Sequence, residues 1–206
     1  MALYLDVPFS EKDEAKALGA RWNPALKKWY ISDRRKYSQF AKWINGDTIL
    51  CDHIYIVEGN RTCFRCNKET IVIGFGFDTY FYMGDPDPKM ETDTVHIGQI
   101  DSNLPKRLEA QLKERYGFIR RYSKELQCSY YANHCRNCHV IQGNYFIFDE
   151  VDSPFFIDGK EAAERLVLRK ISLPNDVAVS TEISYGTEDS WINKFAHIAD
   201  SDLKWE

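Results

Sequence analysis

A chain of 206 residues, 44% hydrophobic and 28% charged, is long enough for one sizeable core or two small ones, and its composition excludes disorder as the default state. Its net charge of −4 argues against bulk, non-specific polyanion binding by the whole molecule, and no run approaches the roughly 20 apolar residues that span a bilayer. The charge is uneven: residues 1–45 carry nine Lys/Arg against five Asp/Glu, and residues 46–206 carry eighteen against twenty-six, a basic start on an acidic body. Residues 3–7 alternate like a strand. Ser10 stands three residues before Asp13, the spacing of a capping box, and a short helix is expected from there to Gly19, which suits a left-handed exit. Two short strands, Arg21-Trp22 and Lys28-Trp29-Tyr30-Ile31, flank an Asn23-Pro24 turn. A second helix from Asp33 places Tyr37, Phe40, Ala41 and Ile44 on one face, and Gly46 ends it. Residues 1–46 thus read as a β-α-β-β-α module.

Strands are expected at 54–57, 71–77 and 140–148, with an acidic loop over 84–93 and a helix between them that carries Leu104, Leu108 and Leu112 and stops at Gly117. From Asp158 a short helix turns Ala162, Ala163, Leu166 and Val167 inward. A strand at 177–184 follows, then a last helix capped by Thr187 with Trp191, Phe195 and Ile198 on its apolar face. The fold class is therefore α+β, in three parts: the module at 1–46, a β-rich metal-bearing domain at 50–158, and a C-terminal helical and strand extension at 159–206 packed on it.

The start of the chain reaches Asp6 and Pro8 before an apolar run can form, so no secretory leader and a cytoplasmic location are expected. In a reducing compartment, paired Cys-x-x-Cys turns read as metal or redox sites rather than disulfides. There are two, Cys63-Phe-Arg-Cys66 and Cys135-Arg-Asn-Cys138, followed by Asn67 and His139, residues that tolerate the left-handed conformation. Four thiolates from two such turns complete the tetrahedral shell that zinc prefers, so Cys63, Cys66, Cys135 and Cys138 are the expected ligands of a structural zinc. The pattern resembles a zinc ribbon split by an insertion, because 68 residues separate Cys66 from Cys135. Two alternatives stay open: four buried cysteines without metal, and a dithiol redox pair. Cys128, His134 or His139 could each replace one ligand. Cys51 has no partner pattern and reads as a small core residue.

The run VPFSEKDEAKALGARWNPALKKWYI, beginning at Val7, resembles a small domain of unknown function that recurs in plasmid- and phage-borne proteins, often attached to primase-, helicase- or nuclease-like partners. The run from Tyr122 to Cys138 looks similar to zinc-knuckle regions of uncharacterised bacterial proteins. The first resemblance implies mobile-element DNA biology and transfers no catalytic residue. Read for themselves, Arg21, Lys27, Lys28, Tyr30, Arg34 and Arg35 interleave cations with flat rings, a surface able to neutralise phosphates and stack exposed bases. Against that, Trp22 and Trp29 could fill the core of a small domain, and Lys27-Lys28 could be a solvated turn.

No phosphate-cradling Gly-x-x-x-x-Gly-Lys, His-Glu-x-x-His or Gly-x-Ser-x-Gly occurs, and the acidic loop with Asp85, Asp87, Glu91 and Asp93 reads as an exposed turn between prolines rather than a Mg²⁺ site. An enzyme is therefore not expected. Two functions compete. The first is a zinc-binding accessory protein that engages single-stranded DNA or RNA through the basic-aromatic N-terminal face, with Arg65 and Arg136 at the knuckle tips as further phosphate contacts. The second is a protein-interaction module of immunity or anti-defence type whose acidic body mates with a basic partner. Neither involves a membrane.

Overall fold

The computed structural model describes residues 1–85, 87–124 and 127–206. In the N-terminal module, β1 (Leu3–Leu5) is followed by a 3₁₀ turn (Phe9–Glu11) and α1 (Lys12–Ala17). Next come β2 (Arg21–Asn23), β3 (Lys28–Ile31) and a 3₁₀ helix (Arg34–Trp43). The strands form an antiparallel sheet in the order β1-β3-β2. Gly19, at φ +105°, turns the chain out of α1. The Asn23 side chain accepts the Ala25 and Leu26 amides at 3.0 and 3.2 Å, closing the Asn-Pro turn, and Lys27 takes the left-handed φ of 52° that the hairpin needs.

The helix from Arg34 departs from the expected winding. Its buried residues are Tyr37, Phe40 and Trp43, three apart, while Ala41 is exposed. Three residues per turn is the 3₁₀ period, and the tighter winding turns the large Trp43 inward where a 3.6-residue turn favours Ala41. Trp43 packs beside Phe40 and donates its indole N–H to Glu11 at 2.7 Å. Trp43 is thus buried in this core, Trp29 packs half-buried against it as expected, and Trp22 is 48% exposed.

The rest of the chain builds around a six-stranded sheet. After β4 (Thr48–Leu50) come β5 (His53–Thr62), β6 (Glu69–Phe77), β7 (Tyr80–Tyr82), β8 (Met90–Glu91) and β9 (His96–Ile100). Then follow α2 (Lys106–Tyr116), β10 (Ile119–Ser123), β11 (Cys128–His134), β12 (Ile141–Gln142), α3 (Tyr145–Phe148) and α4 (Lys160–Glu164). The chain closes with β13 (Val167–Ser172), β14 (Val177–Val179), β15 (Thr181–Ile183), α5 (Ser190–Phe195) and β16 (His197–Ala199). The large sheet runs β15-β9-β6-β5-β13-β16. Ile54 and Ile56 of β5 face a core shared with Leu108 and Leu112 of α2, while Tyr55 and Val57 face a second core shared with Leu168 and Ile192. A strand buried on both faces shows a near-continuous apolar run, as Ile54-Tyr-Ile-Val57 does.

The N-terminal core does not stop at residue 46. Ile49 and Phe81, from the four-stranded sheet β14-β4-β7-β8, lie in it, and the Phe81 ring meets Tyr37 edge-on at 5.5 Å. Residues 159–206 do not lie over the β-rich domain: β13 is inserted between β5 and β16 inside the sheet. The run 140–148 pairs only at Ile141–Gln142, because Gly143-Asn144 breaks it and the Asn144 carbonyl starts a helical turn by accepting the Ile147 and Phe148 amides. The run 177–184 splits between two sheets at Ser180, whose carbonyl accepts the Asp101 and Ser102 amides. The last helix starts after Asp189 rather than at Thr187, buries Ile192, and ends before Ile198, which is exposed on β16. Pro86 lies outside the described residues, and Asp85, Asp87, Glu91 and Asp93 are exposed. No helix among the described residues is long and apolar enough to cross a membrane.

Candidate metal centre and N-terminal cationic face

Both Cys-x-x-Cys segments are hairpin turns closed by the same pair of hydrogen bonds. At the β5–β6 turn the Cys63 amide donates to the Lys68 carbonyl and the Asn67 amide to the Cys63 carbonyl, each at 2.9 Å. At the β11–β12 turn the Cys135 amide donates to Val140 and the His139 amide to Cys135, again each at 2.9 Å. Asn67 and His139 take φ values of 56° and 58°, the left-handed corner their positions in the sequence predict.

The 68-residue insertion is spanned by side chains that act as backbone surrogates. The Asn133 amide accepts the Ile73 N–H at 2.8 Å and donates to the Ile73 carbonyl at 2.9 Å, tying β11 to β6. The Arg136 amide donates to Thr70 Oγ1 at 3.0 Å, and Asn137 Nδ2 donates to the Glu69 carbonyl at 3.1 Å. Asn133 and Thr70 are buried, so these bonds satisfy groups that would be costly to leave unpaired. Their only signal in the sequence is a polar residue inside an apolar run beside each knuckle.

The four sulfurs lie within 4.8 Å of one another, with Cys63–Cys138 and Cys66–Cys135 both at 3.7 Å, and all four cysteines are free. A tetrahedral metal–thiolate centre with bonds near 2.3 Å spaces its sulfurs about 3.8 Å apart. The donor set therefore fits a four-coordinate metal ion, and among the described residues it is the one cluster of His, Cys, Asp or Glu that does so. Without a cation the thiols compete. Burial opposes ionisation of Cys135, yet the Cys138 and Asn137 amides outweigh it and bring the thiol down to about 6. Burial likewise opposes ionisation of Cys63, where the Cys66 and Arg65 amides shift it down. The Lys68 amide favours the Cys66 thiolate, but burial and the neighbouring sulfurs push that thiol up to about 11. A central cation removes this competition by stabilising all four thiolates together. Asn137 N and Gln142 Nε2 donate to Cys135 and Cys63 sulfurs at 3.4 and 3.5 Å, the polar support that orients thiolate ligands.

The three alternative ligands are placed elsewhere. His134 has Nδ1 on the Gly117 and Ala132 carbonyls and accepts from Arg121 at Nε2, so both ring nitrogens are engaged. His139 and Cys128 are exposed and outside the cluster. Cys51 is a core residue whose thiol burial pushes up to about 12.

The N-terminal face is set by register. Pairing of Tyr4 with Tyr30 and of Arg21 with Tyr30 places all three on the outer face of the small sheet, and alternation adds Lys28 and Asn23. Tyr4 and Tyr30 rings lie 6.0 Å apart, and Asn23 donates to the Tyr4 hydroxyl at 3.2 Å. Trp22 and Trp29 share the opposite face in an edge contact at 5.6 Å, where Trp22 runs out past the core and, with exposed Phe9, lines a cleft with Lys27 and Lys28. Arg34 is drawn into the fold, whereas the Arg35 side chain stays 89% exposed. Arg34 is clamped on Asp176 and Asp52, and Arg35 folds back on Asp33. Lys28 has a loose partner in Asp6 at 3.7 Å. Tyr4 belongs to no motif; its only signal in the sequence is its place between inward Leu3 and Leu5. At the knuckle tips, Arg65 is exposed, while Arg136 donates to the Glu114 carbonyl at the end of α2.

Residues 2–45 match the model of a family described as Domain of unknown function (DUF5710), which coincides with the expected module to within a residue at each end. A DNA primase TraC from Escherichia coli is 49% identical over 43 residues, 21% of this chain and 3% of that protein. A second Escherichia coli DNA primase TraC is 55% identical over 40 residues, 19% of this chain and 4% of that protein. The chain thus spans a few per cent of the length of these relatives. No solved structure matches it.

Proposed function

We propose that this chain is a zinc-binding accessory protein of mobile-element DNA metabolism in the bacterial cytoplasm, which holds single-stranded DNA or RNA on its N-terminal sheet. The observation that carries the reading is the outer face on which Arg21 and Lys28 flank the Tyr4 and Tyr30 rings. Cations there neutralise phosphates, and flat rings stack unpaired bases, a combination that tolerates any sequence and disfavours a closed duplex. That the shared segment belongs to proteins named DNA primase supports a role beside a template strand. Zinc is the metal favoured by four thiolates at tetrahedral spacing; it closes its shell with them, contributes folding energy and leaves no open position for chemistry.

Fluorescence anisotropy with labelled single-stranded and duplex oligonucleotides tests this. Binding is expected to prefer single strands, to weaken steeply with salt, and to fall about tenfold for Arg21→Ala combined with Tyr30→Ala, since base stacking alone contributes about 1–3 kcal/mol per base. Absence of any oligonucleotide binding would move the assignment to a protein-interaction module, for which the excess of Asp/Glu in residues 46–206 provides the surface.

A further inference from the structure

The acidic body contains a basic exception. Residues 104–124 hold seven Lys/Arg against two Glu, whereas the remainder of 46–206 holds eleven against twenty-four. These cations come from α2 and from β10, an outer strand of the sheet β10-β11-β12, and the same sheet runs directly into the second cysteine knuckle. The C-terminal end of α2 brings two of them, Lys113 and Arg121, together with Arg136 of the knuckle. Gly117, at φ +68°, turns the chain from α2 toward β10, and the His134 carbonyl and the Arg136 side chain both lie beside it. Arg136 caps the helix end through the Glu114 carbonyl, and Arg121 donates to His134, which is anchored on the Gly117 carbonyl. Arg120 stands apart: it hydrogen-bonds the Asn103 side chain, ahead of the start of α2, and lies over the Tyr131 ring at 5.9 Å.

All of these acceptors are neutral. Among the described residues no carboxylate forms an ion pair with Lys113, Arg120, Arg121 or Arg136, in contrast to Arg34, Arg35 and Lys42 of the N-terminal module, each of which has one. Three guanidinium groups are therefore held in place by neutral partners, and neither they nor Lys113 are spent in an ion pair among the described residues, whereas Arg115 of the same stretch is paired with Asp202. Holding a cation by neutral bonds preorganises it for an anion that is not part of the chain.

We infer a second nucleic-acid contact, formed by Lys113, Arg121 and Arg136 around the C-terminal end of α2, where β11 enters the second knuckle, that takes the phosphodiester backbone. It rests on the reading that the chain holds nucleic acid, and it gives the metal centre a part in binding, because the knuckle fixes β11, on which this surface is built. Arg34, held inside the fold by Asp176 and Asp52, is replaced by this set as a further source of cations for the binding surface.

The test is anisotropy of a labelled oligothymidylate with the full-length, metal-loaded chain across a salt series. Lys113→Ala with Arg121→Ala is expected to bind about tenfold more weakly, with the slope of log affinity against log salt shallower by about 0.7 for each phosphate no longer neutralised. Arg121→Lys in the Lys113 wild-type background is expected to keep most of the affinity, because a phosphate accepts a point charge. Should the double variant lose metal or stability, Lys113→Ala alone, an exposed position, carries the same slope prediction. Unchanged affinity and slope in these variants, while Arg21→Ala with Tyr30→Ala weakens binding, would overturn the second contact and leave the N-terminal face standing. No binding by the wild type would overturn both.

Discussion

Asp176 has no exposed side-chain surface, and three donors from the N-terminal module converge on it. Arg34 meets both of its oxygens, at 2.8 and 2.7 Å, and the Tyr37 hydroxyl donates at 2.6 Å. The Asp176 amide also donates to the Ala2 carbonyl. A buried carboxylate is tolerable only when its oxygens are filled in this way, and the effect is mutual: Asp176 raises the Arg34 guanidinium pKa, and burial followed by Asp176 raises that of the Tyr37 hydroxyl. Asp176→Ala strands Arg34 and Tyr37 and is expected to cost about 3 kcal/mol in chemical denaturation. A loss below about 1 kcal/mol would show that water replaces the carboxylate without difficulty. From the sequence, Arg34 is indistinguishable from Arg35, a cation at the start of a helix. What separates them is a partner 142 residues away, which no local pattern reveals. The same reasoning explains why Arg21 and Tyr30 are legible as a pair: their neighbours are a hairpin turn apart, within reach of register arguments.

The knuckles are the element most fully written in the sequence, because their geometry is local. Cys-x-x-Cys sets the bite, and the residue after it must adopt positive φ, so Asn67 and His139 announce the turn. His139→Gly offers a clean discrimination. Glycine enters the left-handed conformation without the steric cost a side chain meets there, so full metal content is expected with unchanged or higher stability. Metal loss in that variant would make His139 a ligand. The helix from Arg34 is legible as a helix and not as to its winding: Tyr37 and Phe40 fit both periods, and only the choice between Trp43 and Ala41 tells them apart. For the run 140–148, apolar content suggests a strand, while Gly143-Asn144 and the fold of the following segment decide the outcome.

On the scale of the molecule, the α+β character and the position of the N-terminal module are readable, and the interleaving is not. Strand order is a long-range property: β13 finds its place between β5 and β16 by fitting Leu168 and Ile171 to the two faces of a sheet whose strand β5 lies more than a hundred residues earlier. The insertion between the knuckles likewise becomes sheet and helix of the body, with α2 covering one face. The four-cysteine cluster joins the two ends of that insertion, so a metal ion held there would fix β11 on β6 and, through β11, the cationic end of α2. The most direct test is elemental mass spectrometry of protein purified without chelator, alongside Cys63→Ser combined with Cys135→Ser. The expected result is about one zinc per wild-type chain, none in the variant, and a lowered Tm when zinc is removed, since ligand and fold form together. A metal-free wild type with unaltered Tm would contradict the account, and so would retention of zinc by the double variant.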